Sequence, residues 1–172
     1  MNFHDRQTVK LGTLGEQIAD QYLVRKGFIP YAPVCEGAHP FDRLCAYKKR
    51  KILIAETKTK PARRYYPDTG INKRHFDDYL HIEETHKLSV WLFFVDSDKG
   101  TVYGNTLAVL REPTVVLHDG RELSYPMEMA GTIYFPLAKM KTIATLTAEQ
   151  REQLRGLSGR AKTYESLEGV TI

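Results

Sequence analysis

Apolar positions near the start of the chain recur at helical spacing. Leu14, Ile18 and Tyr22 fall at i, i+4 and i+8, with Ala19 and Leu23 beside them, which predicts a helix over 13–26. Gly27 suits its C-terminal end and Pro30 forbids continuation. Residues 1–10 read as a loose lead-in. A first strand is expected at 31–35, a turn at 36–40 and a second strand at 41–47. The apolar run Ile52-Leu53-Ile54-Ala55 continues into Glu56-Thr57-Lys58 as a third strand, folded back on the second by the basic turn Lys48-Lys49-Arg50. Pro61 ends it, and 62–70 reads as a loop. A second helix is expected over 72–86, its faces marked by Phe76, Tyr79, Leu80 and Glu83. The run SVWLFFV at 89–95 has the look of a central strand covered on both faces.

Beyond it the pattern thins. Asp98-Lys99-Gly100 is a turn, and 101–110 reads as a strand or a strand-to-helix passage in which Gly104 marks a bulge or close packing. Residues 114–117 and 122–125 flank His118-Asp119-Gly120-Arg121, a hairpin signal, and 131–135 is a short strand. Thr147 with Gln150 three residues on is a capping box, opening a helix that runs to about Arg155, where Gly156 and Gly159 end it. The tail, 160–172, has little apolar content. The expected class is α/β: an α-β-β-β-α-β core over about 11–110, with a mixed central sheet flanked by helices. A C-terminal β-hairpin and helix follow over about 111–172, all within one domain.

Composition changes this picture little. A hydrophobic fraction of 42% and a charged fraction of 27% are ordinary for a globular chain. No apolar run approaches the length needed to span a bilayer, and MNFHDRQTVK has no apolar signal region, so the cytoplasm is the expected compartment. Cys35 and Cys45 lack CxxC spacing and read as reduced, half-buried strand residues. Charge is more informative. Between Arg43 and Arg74 stand eleven Lys or Arg against Glu56 and Asp68, a net +9 that leaves −5 for the rest of a chain carrying +4 overall. A solvated hairpin would look the same. Around the carboxylates described next, it favours a polyanion such as nucleic acid.

Strand alternation turns Glu56 and Lys58 to one face, roughly 6–7 Å apart. Asp42 opens the strand expected to pair with theirs. Two carboxylates and a lysine at one strand end suit a hard divalent cation and an activated water. Glu16 shares a helix face with Ala19 and Leu23, and a carboxylate at the edge of a buried face needs a partner, a cation or a bound water. If the helix begins at residue 13, Glu16 also sits in its first turn, where the dipole favours it. Lys60, Arg63, Arg64, Tyr65 and Tyr66 interleave cations with aromatics, a mixture that holds a phosphate backbone and stacks on an unpaired base. An ordinary surface loop would also carry it. Asn72, Lys73 and His75 occupy the first turn of the second helix, where anions are favoured. His39 lies near Asp42, although a loop histidine is more often plain surface. There is no HExxH spacing for zinc, no phosphate-binding loop of the GxxxxGK[ST] type, and no assignable Ser/His/Asp triad.

The ordered set Gly12-x-x-Gly15-Glu16, Pro40-Phe41-Asp42 and Glu56-Thr57-Lys58 resembles the PD-(D/E)XK nuclease superfamily, with its restriction-endonuclease-like fold. The GxxGExxA start and the KGF after the first helix look most like archaeal-type Holliday junction resolvases and related small nucleases. The chain departs from the pattern where Phe41 separates Pro40 from Asp42, and where the second helix carries Asn72, Lys73 and His75 in place of glutamine or lysine. The resemblance implies Mg²⁺ or Mn²⁺ on Asp42, Glu56 and the Thr57 carbonyl. It implies that Lys58 positions or deprotonates the attacking water, and that Glu16 holds a further water or a second cation. Lys48, Lys49, Arg50, Lys60, Arg63, Arg64, Tyr65, Asn72, Lys73 and His75 would then face DNA. A junction substrate would call for a homodimer. A non-catalytic module that keeps the fold and binds nucleic acid or protein is the competing expectation.

Overall fold

The structure, a computed structural model, describes residues 6–34, 40–48 and 51–158. The expectations for the first five residues, Cys35, the turn at 36–39 with His39, Lys49, Arg50 and the tail lie outside them.

In chain order the elements are α1 (Gln7–Arg25), β1 (Phe28–Tyr31), β2 (Arg43–Tyr47), β3 (Lys51–Thr59), β4 (Asp68–Asn72) and α2 (Lys73–His86). Then come β5 (Ser89–Asp96), β6 (Thr101–Thr106), the short α3 (Leu107–Leu110), β7 (Thr114–His118) and β8 (Arg121–Tyr125). The described residues end with β9 (Met127–Met129), β10 (Thr132–Pro136), a 3₁₀ turn (Leu137–Lys139), β11 (Lys141–Thr145) and α4 (Ala148–Ser158).

Six strands form the central sheet in the order β1-β2-β3-β5-β6-β11. The hairpin is as expected: β2 and β3 run antiparallel from Arg43↔Ala55 to Tyr47↔Lys51. β5 returns parallel to β3, with Glu56 beside Leu92. A parallel return needs a crossover, and β4 with α2 supplies it. β1, β6 and β11 pair antiparallel with their neighbours, so the sheet is mixed.

Side-chain alternation sends the two faces of the sheet into two cores. Ala55, Phe93 and Val95 meet Ile18 and Leu23 of α1 and Leu154 of α4. Ile54, Leu92 and Phe94 meet Tyr79 of α2, Leu107 and Leu110 of α3, and Ile133 and Phe135 of β10. A mixed α/β sheet flanked by helices is the expected class, and the α-β-β-β-α-β order of its first half is present with β4 inserted before α2. Cys45 is completely buried in β2 rather than half-buried, and burial pushes its thiol up to about 12.

Several boundaries differ from expectation. α1 begins at Gln7, its first N–H groups returning to the Arg6 carbonyl at 3.0 and 3.1 Å, because packing against α4 extends the helix past its apolar stripe. Glu16 is therefore mid-helix, not in a first turn. β1 comes earlier than expected and contains Pro30, which the outermost strand tolerates because one of its sides needs no donor. Residues 68–70 belong to β4, not to a loop, since they pair with β10 to form a second sheet, β4-β10-β9. α4 runs through Gly156 to Ser158. The capping box at its start is made as predicted: Thr147 N–H reaches Gln150 Oε1 at 2.9 Å, and Gln150 N–H reaches Thr147 Oγ1 at 3.1 Å. Gly104 marks close packing, as a Cβ there would lie 2.7 Å from the Leu92 carbonyl oxygen. Among the described residues no helix is long and apolar enough to cross a membrane.

Candidate active site

β2 begins only at Arg43, so β3 outruns it by several residues. Asp42 bends across the edge left open. Its backbone N–H donates to Glu56 Oε2 at 3.2 Å, and its own Oδ2 accepts the Thr57 N–H at 2.7 Å. Asp42 is thus tied to β3 twice, by its main chain to the Glu56 carboxylate and by its own carboxylate to the Thr57 main chain. Lys58 Nζ lies 2.5 Å from Glu56 Oε1, on the face that alternation predicts. Glu56 is 3% exposed. Tyr79, from the buried face of α2, faces the same carboxylate, and burial followed by the charge of Glu56 drives its hydroxyl well above the ordinary tyrosine range. Asp42, Glu56 and Lys58 are together; Tyr79 joins them without having been marked for more than packing.

Glu16 reaches the site from the opposite face of the sheet. Gly15 packs so tightly on β3 that a Cβ there would lie 1.7 Å from Thr59 Oγ1. That contact brings α1 down onto the strand and sets Glu16 at its end. Its carboxylate pairs with Arg43 Nη1 at 3.2 Å. Arg43 also grips Asp20, with Nε 3.1 and 3.0 Å from the two oxygens, and donates from Nη1 to the Asp42 carbonyl at 2.8 Å. Of the two partners expected for Glu16, the structure supplies the cation. Arg43 and Asp20 are the residues that sequence reasoning missed. Their signal was available in part, since Asp20 lies one helical turn beyond Glu16.

Charge crowds around Asp42. Desolvation first, then the negative charge of Glu56, raises its carboxyl from 3.8 to about 7, with a smaller push from Glu16. The Thr57 N–H and Lys58 act the other way. A carboxyl so raised is negative charge without enough compensation.

Among the described residues no three Asp, Glu, His or Cys side chains converge closely enough to grip a metal ion as they stand. The donors nonetheless fit Mg²⁺ or Mn²⁺, which keep several waters and take one or two carboxylates. Asp42 and Glu56 supply those, and the excess charge on Asp42 is what a dication would relieve. A strand residue turns its N–H and C=O to the same side, so the Thr57 carbonyl shares the Asp42 edge. Glu16, bound to Arg43, stands farther out.

The predicted nucleic-acid residues divide. Arg63 is turned inward onto Asp68, at 2.6 and 2.5 Å, and is committed to the fold. Lys60 is partly buried, and burial and then Lys58 lower its proton affinity. Lys48, Arg64 and Tyr65 are exposed. Asn72 caps α2 by accepting the Arg74 N–H at 2.9 Å. Lys73 sits 3.6 Å from both Asp77 and Glu128, and His75 stacks near Tyr79 with ring centroids 6.2 Å apart.

No known protein family matches the chain, and no curated protein matches it. Among solved structures, Hjc from Archaeoglobus fulgidus, a Holliday junction resolvase from an archaeal hyperthermophile, is similar. The likeness has a TM-score of 0.49 at 11% identity and covers 74% of this chain and 90% of that one.

Proposed function

We propose that the chain is a metal-dependent endonuclease that hydrolyses phosphodiester bonds in DNA, using Mg²⁺ or Mn²⁺. The observation that carries this reading is the meeting of Asp42 and Glu56, from paired strands, beside Lys58, with Asp42 left under-compensated. Asp42, Glu56 and the Thr57 carbonyl would hold the cation. When bound, the cation polarises the scissile phosphate and lowers the pKa of a coordinated water. Glu56 is kept in place by the Asp42 N–H. Lys58 orients the attacking water and offsets negative charge growing on the phosphate oxygens as water adds to phosphorus and the ester oxygen leaves. Arg43 fixes the Asp42 peptide while holding Glu16 beside it. Branched DNA is the substrate class that the sequence resemblance favours, and symmetric cutting of a junction would need two copies of the chain.

A second reading has its own support. Lys58 and Glu56 neutralise each other, and two carboxylate oxygens are already bonded to main-chain N–H groups. A binding module with a lapsed site would look the same. The test is cleavage of supercoiled, linear, single-stranded and four-way-junction DNA in Mg²⁺ or EDTA. We expect cutting in Mg²⁺ alone, reduced at least ~10²-fold by Glu56→Ala or Lys58→Ala. Cutting that survives either substitution removes the assigned roles. Binding with no cutting of any substrate establishes the second reading.

A further inference from the structure

The segment joining β3 to α2 is clasped by the chain that follows residue 112. Asp68 is fully buried. It takes the forked guanidinium of Arg63 and, at 2.7 Å, the hydroxyl of Tyr125 from β8. The guanidinium lies between two rings, 4.2 Å from the centroid of Tyr66 and 3.8 Å from that of Tyr134 on β10. Main-chain bonds complete the grip: Arg63 N–H to the Asp68 carbonyl at 3.0 Å, and Leu137 N–H to the Pro67 carbonyl at 2.8 Å. A ring nitrogen of His118, at the hairpin tip, sits 3.2 Å from the Tyr65 carbonyl. A buried ion pair adds little net stability; its effect here is to hold a backbone still.

The clasp leaves Arg64 and Tyr65 outside. Tyr65 is 73% exposed, with the Arg64 guanidinium 5.5 Å from its ring centroid. Single exposed aromatics are commonplace, but this one rides on a segment bonded at both ends. It also follows Lys58 by seven residues in the chain, on the segment that leaves the end of β3.

We propose that Arg64 and Tyr65 form a preformed stacking platform for an unpaired nucleobase, selecting for cleavage DNA that carries an unstacked base. Every base offers a π-face, and a cation adjoining the ring adds attraction to the backbone. A base inside a duplex has both faces covered by its neighbours; one at a fork, bulge or branch does not. A platform that is already ordered loses little entropy on engaging it. The cleavage half of this proposal rests on the nuclease reading; the binding half does not.

The experiment uses the full chain in EDTA with two duplexes of equal length, one fully paired and one carrying a single unpaired 2-aminopurine. We expect the bulged duplex to bind at least ~5-fold tighter, with quenching of the 2-aminopurine. Tyr65→Ala should remove both effects, bringing the bulged duplex down to the level of the paired one, while Tyr65→Phe keeps them. Equal weakening on both duplexes, or quenching that persists in Tyr65→Ala, overturns the platform. Parallel Mg²⁺ assays separate the two ideas. Tyr65-dependent selection without cleavage supports the platform and defeats the nuclease reading; cleavage without such selection does the reverse.

Discussion

Asp42 illustrates how a candidate site residue works against the fold that holds it. Its carboxyl is raised from 3.8 to about 7. At low pH, below the unfolded value, both folded and unfolded chains carry the proton and the residue is harmless. As pH rises through about 7 the folded chain must accept a buried charge, and the stability conferred by the proton is lost. Asp42→Asn keeps the acceptor for the Thr57 N–H and removes the charge. We expect the variant to be more stable than wild type at pH 8 in EDTA by roughly 1–3 kcal/mol, with the gain gone near pH 4. Urea unfolding across that range checks it. Mn²⁺ should reverse the order at pH 8, stabilising wild type and not the variant. Much at this scale was legible. Alternation alone placed Glu56 with Lys58, and hairpin pairing brought Asp42 to them. The pairing of Glu16 with Arg43 was not, because which face of the sheet receives α1 is a tertiary matter. The pairing of Arg63 was hidden for a similar reason: its partner, Asp68, lies in a strand that local pattern did not reveal.

Elements were legible where their reasons are local. The capping box at Thr147, the hairpin turn at Lys48 and the apolar run of β5 all declare themselves within a few residues. β4 does not, since Asp68-Thr69-Gly70 becomes a strand only by pairing with residues 134–136. The α1–β3 crossing is another long-range feature, and it is testable. Gly15→Ala would drive a methyl to 1.7 Å from Thr59 Oγ1, in the tightest part of the crossing. Overpacking of this kind destabilises by roughly 1–3 kcal/mol, and a lowered melting temperature is the expected readout. Thr59 Oγ1 is buried without a hydrogen-bond partner, so Gly15→Ala with Thr59→Ala should recover part of the loss. The nearest remaining contact is then the residue-59 Cβ at 3.0 Å. If the double variant is no better than the single, the crossing is not set by this pair.

For the molecule as a whole, the part after residue 112 is structural as well as decorative to the site. Ile133 and Phe135 complete one core, and Leu146 and Leu154 complete the other. Burial of such side chains contributes roughly 1.5–3 kcal/mol each, together comparable to the whole stability of a typical domain. A chain ending at residue 112 should therefore lose cooperative unfolding and near-ultraviolet dichroism. A sharp transition in that fragment would show that the first half stands alone. The sequence resemblance spans about 11–110 and is silent on this dependence, which arises from packing between distant segments.

Cys45 carries a last consequence. Its sulfur is sealed in the second strand of the sheet, and the thiol keeps its proton far into alkali. An alkylating reagent meets it only when the core between α1 and this face of the sheet opens. With Cys35 replaced by serine, the pace of labelling becomes a clock for the opening of the core behind the hairpin that presents Asp42 and Glu56, readable by mass alone and without any substrate.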